Sequence, residues 1–259
     1  MNLSDSVLAK TRPPRPDRER LRNAKIVAHR GNTGLGLKEN TLAAFTNAHE
    51  IGTWGVEFDV RWTSCSTPVI HHDRNCKRVH GVDLDIDRVS FKDLRKHVPA
   101  VPAFQELISK FGGALHLMIE LKSDLKSMTR AQWTQLKEML KSLEAGRDFH
   151  LMSMDYNTLR GNPEFPHEAC VPIAEFNAVR LSQQALADRM AGISGQYLLI
   201  SSQVIKNHHQ AGQVAGTGFV GSEAVFYREI NRGVDWFFSD RAAHLLSVKR
   251  ELKHFETAS

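Results

Sequence analysis

Short apolar runs alternate with amphipathic segments along most of this chain. The first runs are IVAHR at residues 26–30, GVEFDVRWT at 55–63 and ALHLMIELK at 114–122, and similar runs recur up to VDWFFSD at 234–240. These runs are continuously apolar rather than alternating, which is typical of strands buried on both faces of a parallel sheet. The segments between them carry apolar residues at helical spacing, so most strands are predicted to be followed by a helix.

The full pattern predicts eight strands. The other four are FHLMSMD at 149–155, CVPIAEF at 170–176, YLLISS at 197–202 and QVAGTGF at 213–219, while TPVIHHD at 67–73 is predicted to run alongside the second strand. Eight strand–helix units in about 250 residues match the size of a TIM (β/α)8 barrel. We therefore predict an α/β fold, a single TIM barrel over residues 24–259 with an N-terminal extension over residues 1–23.

A doubly wound open sheet is the rival fold, but the loop after the first strand does not support it. Gly31, Gly34 and Gly36 have the wrong spacing for a dinucleotide-binding fingerprint. Two helix boundaries are also predicted locally. Asn40 is expected to cap the helix that follows it, and Thr129 with Gln132 is expected to form a capping box.

Composition narrows the class of protein. The 259 residues are 41% hydrophobic and 24% charged, as in soluble globular proteins. No apolar run approaches the roughly 18 residues of a membrane span, and the first residues lack the apolar core of a signal peptide, so we expect a cytoplasmic protein with no integral membrane segment. The three cysteines are too few for a disulfide framework.

The net charge of +5 suits an anionic substrate or a nucleic-acid partner. Much of the positive excess lies in the N-terminal extension, where no aromatic residue is present to stack on bases. We therefore expect a small-molecule anionic substrate and no nucleic acid. The oligomeric state is left open by the sequence.

Residues with chemically reactive side chains gather where the predicted strands end. In a TIM barrel, the carboxyl ends of the strands meet at one rim, and catalytic groups lie there. The residues at these positions are His29, Arg30, Glu57, Asp59, His72, Glu120 and Lys122.

Glu57 and Asp59 are predicted to face the same side of one strand, roughly 6.5–7 Å apart. Glu120 ends the next strand along the chain. Three buried carboxylates at one rim are costly without a cation, and all-oxygen ligation favours Mg²⁺ or Ca²⁺. The alternative is that these carboxylates form salt bridges at the rim. The presence of Glu120 on the next strand favours the metal site over that alternative.

Two further pairs of residues complete a candidate phosphate-binding site. Lys122 and Arg30 could bind phosphate oxygens, although an ion pair with the carboxylates and a surface charge are their alternatives. His29 and His72 could remove a proton from the attacking hydroxyl and protonate the leaving oxygen. His71 must point to the opposite face and is assigned to packing.

Five pieces in order, IVAHRGN, KENTLAAF, GVEFDV, VIHHD and LMIELK, resemble the glycerophosphodiester phosphodiesterase family. LMSMD and NRGVDWFFSD match its later strands more loosely. The resemblance implies a TIM barrel that cleaves glycerophosphodiesters to an alcohol and glycerol 3-phosphate with one divalent metal ion, Mg²⁺ or Ca²⁺. Transferred residue by residue, it implies metal ligands Glu57, Asp59 and Glu120, catalytic residues His29 and His72, and substrate-binding residues Arg30, Lys122, Glu39 and Asn40.

The family mechanism implies attack by the neighbouring hydroxyl of the substrate, followed by opening of a cyclic phosphate by water. It suggests His29 as the base of the first step and His72 as the acid, with the order of the two left open. Two departures from the family matter. The connection between Asp73 and Glu120 is short, and Gly216-Thr217-Gly218-Phe219 stands where the family usually has Trp-Thr-Val-Asn. The family's aromatic side chain and amide are absent here, and the two glycines are expected to widen that side of the mouth. A wider mouth would suit a lysophospholipase D acting on lysophospholipids, and a non-catalytic phosphate-ligand-binding barrel is the remaining alternative.

Overall fold

Eight parallel strands close into a barrel in the computed structural model, which describes residues 13–122 and 128–254. A ninth strand, β3, pairs antiparallel with the end of β2, and β1 pairs with both β2 and β9 to close the ring. The predicted TIM barrel is confirmed. The strands are β1 (Lys25–His29), β2 (Gly55–Trp62), β3 (Pro68–Ile70), β4 (His116–Leu121), β5 (Phe149–Ser153), β6 (Cys170–Ala174), β7 (Gly192–Gln196), β8 (Val214–Gly218) and β9 (Trp236–Ser239).

Helices surround the barrel, and the first helix of the described residues lies within the predicted N-terminal extension. None of the helices in the described ranges combines the length and the apolarity needed to cross a bilayer. Their bounds are α1 (Arg18–Asn23), α2 (Leu42–Glu50), α3 (Lys77–His80), α4 (Phe91–His97), α5 (Phe104–Phe111), α6 (Arg130–Leu140), α7 (Tyr156–Arg160), α8 (Ala178–Ala187), α9 (Ser202–Gln210), α10 (Glu223–Asn231) and α11 (Ala242–His254).

The prediction of a strand at residues 197–202 is wrong. The barrel strand at this place is β7, the glycine-containing segment just before it, and the apolar run forms a turn in which Leu198 is half exposed. The neighbouring strands explain the glycines. A Cβ at Gly192 would lie 1.9 Å from the carbonyl oxygen of Val214, and one at Gly195 would lie 2.9 Å from that of Ala174. Close backbone approach therefore selects glycine here over β-branched residues.

One of the two capping predictions is confirmed, and the other is wrong. Thr129 and Gln132 form the expected capping box at α6. At α2, however, Thr41 is the N-cap, and its hydroxyl accepts a hydrogen bond from the backbone N–H of Ala44. Asn40 adopts a left-handed conformation with φ of 55°. Its side chain donates a hydrogen bond to Asp59 instead of capping the helix.

Two apolar layers hold the barrel. The larger lies between the strands and the helices, and the smaller fills the interior of the barrel. Because strand side chains alternate, positions two residues apart share a face. Met118 of the inner cluster therefore places Glu120 on the inner face, and Val27 does the same for His29.

A third apolar cluster lies under the connection between β3 and α5. It includes Val69, Cys76, Ile86, Leu94 and Val101, each with at most 1% of its surface exposed. This small core anchors the segment that leads from β3 into α3. The segment carries His72 and Asp73, so packing at some distance from the barrel axis holds part of the rim in place.

Candidate active site

The register of three neighbouring strands brings the predicted carboxylates together. Asp59 on β2 lies opposite Glu120 on β4, and Glu57 lies opposite His29 on β1. Glu57, Asp59 and Glu120 are all buried, and each offers one oxygen within 4.8 Å of the others. The grouping predicted from strand ends is therefore present in the structure.

The electrostatics of Glu57 fit a bound cation. Its Oε1 is buried and has no hydrogen-bond partner among the described residues. Burial and the nearby Asp59 raise the pKa of Glu57 to about 8. A hard divalent ion with oxygen ligands would satisfy the orphaned oxygen and remove the repulsion. The three residues present thus fit Mg²⁺ or Ca²⁺.

Two cations flank the carboxylates. Lys122 Nζ lies 2.9 Å from Asp59 Oδ1 and also contacts Glu120, while Arg30 Nε lies 3.4 Å from Asp59 Oδ2. Burial acts to raise the pKa of Asp59, but Lys122 and Arg30 outweigh it and hold that pKa below its usual range. Both cations line the pocket, so they are also placed to contact a substrate phosphate.

Glu39 and Asn40 lie behind these groups rather than on the pocket surface. Asn40 donates from Nδ2 to Asp59 Oδ2 over 2.7 Å, and Glu39 accepts from Arg30 over 3.0 Å. Neither residue lines the pocket that the described residues enclose. Their positions favour a supporting role, in which they orient Asp59 and Arg30, over direct contact with substrate.

His29 is held by a carboxylate from the far end of the chain. Its Nδ1 lies 2.6 Å from Asp240 Oδ1, and its Nε2 lies 3.7 Å from Glu57 Oε2. Burial acts to lower the pKa of His29, but Glu57 and Asp240 together raise it to about 9. A cation bound at Glu57 would reduce that rise, because the cation cancels the charge responsible for it.

His72 has an equivalent partner in its neighbour in sequence. Its Nδ1 lies 2.6 Å from Asp73 Oδ1, and its carbonyl oxygen accepts a hydrogen bond from Arg61. Burial lowers the pKa of His72, and the charge of Lys122 adds to that effect. His71 is buried with 1% exposure, as predicted for a packing residue, and its Nδ1 lies 2.8 Å from the carbonyl oxygen of Asp73.

Two supporting residues were not identified from the sequence. Asp240 follows the last strand, so the rule that found the other rim residues could have found it. Arg78 gave no such signal, since it lies on the short helix α3. Its guanidinium contacts Asp73 at 2.5 Å and Glu39 at 2.6 Å, and so links the partner of His72 to the partner of Arg30.

The pocket above the carboxylates has a volume of about 390 Å³ and one apolar side. Met154, Phe176 and Phe219 line it and are 46%, 99% and 48% exposed. Phe219 lies edge-on to His29 with ring centroids 6.0 Å apart, so an aromatic residue does flank the site. Of the two glycines expected to widen this side, only Gly218 lines the pocket, because a Cβ at Gly216 would instead meet Phe238 at 2.8 Å.

Comparison with protein families settles the membership of the chain. The model of the glycerophosphoryl diester phosphodiesterase family matches residues 29–244. The chain belongs to this family. Solved structures with the same fold include a glycerophosphodiester phosphodiesterase from Thermotoga maritima, with a TM-score of 0.75 and 21% identity, covering 87% of this chain and 98% of that one.

The structure of a phosphodiesterase from Oleispira antarctica was solved in complex with the product sn-glycerol-3-phosphate. It has a TM-score of 0.71 and 23% identity, and the match covers 92% of this chain and 98% of that one. Among curated proteins, human lysophospholipase D GDPD1 is 41% identical over 71 residues, which are 27% of this chain. The chain thus matches only 22% of the length of that relative.

Proposed function

We propose that this protein hydrolyses glycerophosphodiesters to an alcohol and glycerol 3-phosphate. The observation that carries the proposal is the convergence of Glu57, Asp59 and Glu120 with two histidines, each oriented by its own carboxylate. Membership of the family and the product bound to the Oleispira antarctica relative support the same chemistry.

The two histidines supply the proton transfers. Asp240 and Asp73 each occupy the Nδ1 side of one imidazole, which leaves Nε2 of His29 and His72 as the atoms that exchange protons with substrate. One histidine removes the proton of the attacking hydroxyl, and the other protonates the departing alcohol oxygen. Each role typically contributes ~10²–10⁴ in rate.

The remaining polar residues bind and orient the phosphate. Lys122 and Arg30 line the pocket and offer positive charge and a planar pair of donors to its oxygens. Glu57, Asp59 and Glu120 would hold one Mg²⁺ or Ca²⁺, which would supply charge stabilisation when bound. Asn40 and Glu39 keep Asp59 and Arg30 in position through their hydrogen bonds.

The test is direct detection of product. Glycerophosphocholine, glycerophosphoethanolamine and glycerophosphoinositol are incubated with the purified protein in Mg²⁺ or Ca²⁺, and glycerol 3-phosphate is quantified. We expect release that a chelator abolishes and added metal restores. Absence of release from all three diesters with either metal would contradict the proposal and favour a non-catalytic barrel that binds phosphate ligands.

A lysophospholipase D activity is the second candidate, and the apolar side of the pocket favours it. The ring of Phe176 is fully exposed beside the site. It could pack against an acyl chain, whereas a small polar headgroup would make no apolar contact with it. Curated relatives from human, rat and mouse bear the name lysophospholipase D. Comparing turnover of a lysophosphatidylcholine with that of glycerophosphocholine separates the two candidates.

A further inference from the structure

A second cavity opens at the other end of the barrel, where the strands begin. Its volume is about 760 Å³, larger than the pocket above the carboxylates and within the usual range for small-molecule sites. Residues at the starts of β1, β4, β5, β8 and β9 line it, so it lies a barrel length away from the proposed catalytic groups. The proposed phosphodiesterase mechanism uses none of its residues.

Stacked rings form one wall of this cavity. Trp54 stacks on His116 with centroids 4.2 Å apart and planes 16° apart, and Trp236 lies beside this pair, 6.3 Å from Trp54 and 6.5 Å from His116. All three residues line the cavity. Trp54 is only partly buried, so ring surface remains available to a planar ligand.

A hydrogen-bond acceptor lies beside the rings. The carbonyl oxygen of Arg147 can only accept, so His116 carries its proton on Nδ1 and accepts through Nε2 from His150 Nδ1. This fixes His150 with Nε2 as an acceptor, and no hydrogen bond in the described part of the chain engages that atom. Trp236 Nε1 is too deeply buried to be reached from the cavity. The acceptor on His150 matches a donor group on the edge of a heteroaromatic ring.

Positive charge lies at the mouth of the cavity. Lys25 Nζ is 5.0 Å above the ring of Trp54, and Arg189 is exposed on the lining. Within the described ranges, neither makes an ion pair with a carboxylate. Arg147 also lines the mouth but is paired with Asp148, and Glu168 is the acidic residue of the lining. Two cations are therefore available to an anionic group.

We propose that this cavity is a ligand site for a planar heteroaromatic ring that carries an anionic group, as nucleotides do. The ring packs on Trp54, and a donor on its edge hydrogen bonds to His150 Nε2. The phosphate lies between Lys25 and Arg189. Binding here does not depend on the proposed phosphodiesterase activity.

The test is calorimetric titration of the full chain with AMP, in excess glycerol 3-phosphate to occupy the opposite pocket. We expect saturable binding of AMP, with adenosine and inorganic phosphate each binding at least tenfold more weakly. The double variant Lys25→Glu, Arg189→Glu should weaken AMP binding at least tenfold. The matched single variant Lys92→Glu, on an exposed residue of α4 that lines neither pocket, should not change it.

Trp54→Leu provides an independent arm, because it removes the stacking surface without changing charge. It should weaken AMP binding at least tenfold while unfolding temperature and diester turnover confirm that each variant is folded. Three results would overturn the proposal: no binding of AMP, unchanged affinity in the charge-reversed variant, or displacement of AMP by glycerol 3-phosphate.

Discussion

His29 Nδ1 and Asp240 Oδ1 lie 2.6 Å apart although the residues are separated by 211 positions in the sequence. The contact joins the end of the first barrel strand to the residue after the last one, where β1 and β9 close the barrel. Barrel closure and histidine orientation are therefore linked. We propose that Asp240 is a positioning residue, because it contacts His29 and lines no part of the pocket.

Replacing Asp240 should separate positioning from binding. In Asp240→Asn the imidazole of His29 loses its anionic partner, so we expect kcat to fall roughly 10–100-fold, as part of the ~10²–10⁴ that such a group contributes. KM for glycerophosphocholine should change little, and the pH–rate profile should shift. Asp87→Asn, which alters an exposed pair with Arg74, is the control. A pH profile identical to that of the wild type would argue against the role.

Arg78 should behave as a second positioning residue. It holds Asp73 and Glu39 at once, and its two-donor contact with Glu39 depends on the planar guanidinium. We expect Arg78→Ala and Arg78→Lys to lower kcat about tenfold, below the ~10²-fold that a 1 Å misplacement can cost. Metal affinity, measured by calorimetry, should be unchanged. Equal activity of Arg78→Ala and the surface control Arg88→Ala would refute this.

Glu57→Gln should give opposite effects in the presence and absence of metal. Without metal, burial and the nearby Asp59 oppose ionisation of Glu57 and raise its pKa to about 8. Gln is neutral without taking up a proton, so the unfolding temperature should rise or stay constant. With Mg²⁺ or Ca²⁺, the wild-type protein should gain stability through ligand binding, and the variant should gain little. Thermal denaturation with and without metal measures both effects. A variant that is stabilised by metal as strongly as the wild type would exclude Glu57 as a ligand.

Substitution of Phe176 should lower the turnover of lipid substrates only. Phe176→Ser removes a fully exposed ring, so folding should be unaffected, and turnover of glycerophosphocholine should stay the same. If an acyl chain packs on the ring, kcat/KM for a long-chain lysophosphatidylcholine should fall about tenfold, equivalent to ~1.4 kcal/mol. Val179→Ser, an exposed residue outside the pocket, is the matched control. Equal effects of both substitutions would contradict a specific acyl contact.

Two buried histidines predict acid sensitivity. Burial lowers the pKa of His116 to about 4 and that of His150 to about 3, so the unfolded chain binds protons below pH 6.5 that the folded chain does not. The free energy of unfolding should therefore decrease as the pH falls from about 6.5 to 4. Each pH unit by which folding lowers a histidine pKa corresponds to about 1.4 kcal/mol. Denaturant titrations at several pH values measure it. His116→Gln with His150→Gln should flatten the dependence, whereas the exposed His97→Gln should not.

The sequence predicted most of the barrel because buried parallel strands are continuously apolar. That rule failed at β7, where close backbone approach requires Gly192 and Gly195, and where the adjacent apolar run forms a turn. A strand made of small residues carries little hydrophobic signal. Its position follows only from the carbonyl groups of its neighbours, which the local sequence does not contain.

In the candidate site too, some residues were predictable from the sequence and others were not. Glu57, Asp59 and Glu120 were predictable because strand periodicity and the shared rim of a barrel determine which residues meet. The partners of the histidines were harder, since Asp240 reaches His29 only through barrel closure. Arg78 reaches the site from a helix that the small core under the β3–α5 connection holds in place.

The central claim is that two imidazoles perform the proton transfers beside a metal held by other residues. The most direct measurement is turnover of glycerophosphocholine by metal-loaded His29→Ala and His72→Ala, together with metal affinity by calorimetry. We predict that each substitution lowers kcat by ~10²–10⁴ while the metal still binds. Near-wild-type turnover in both variants would contradict the claim.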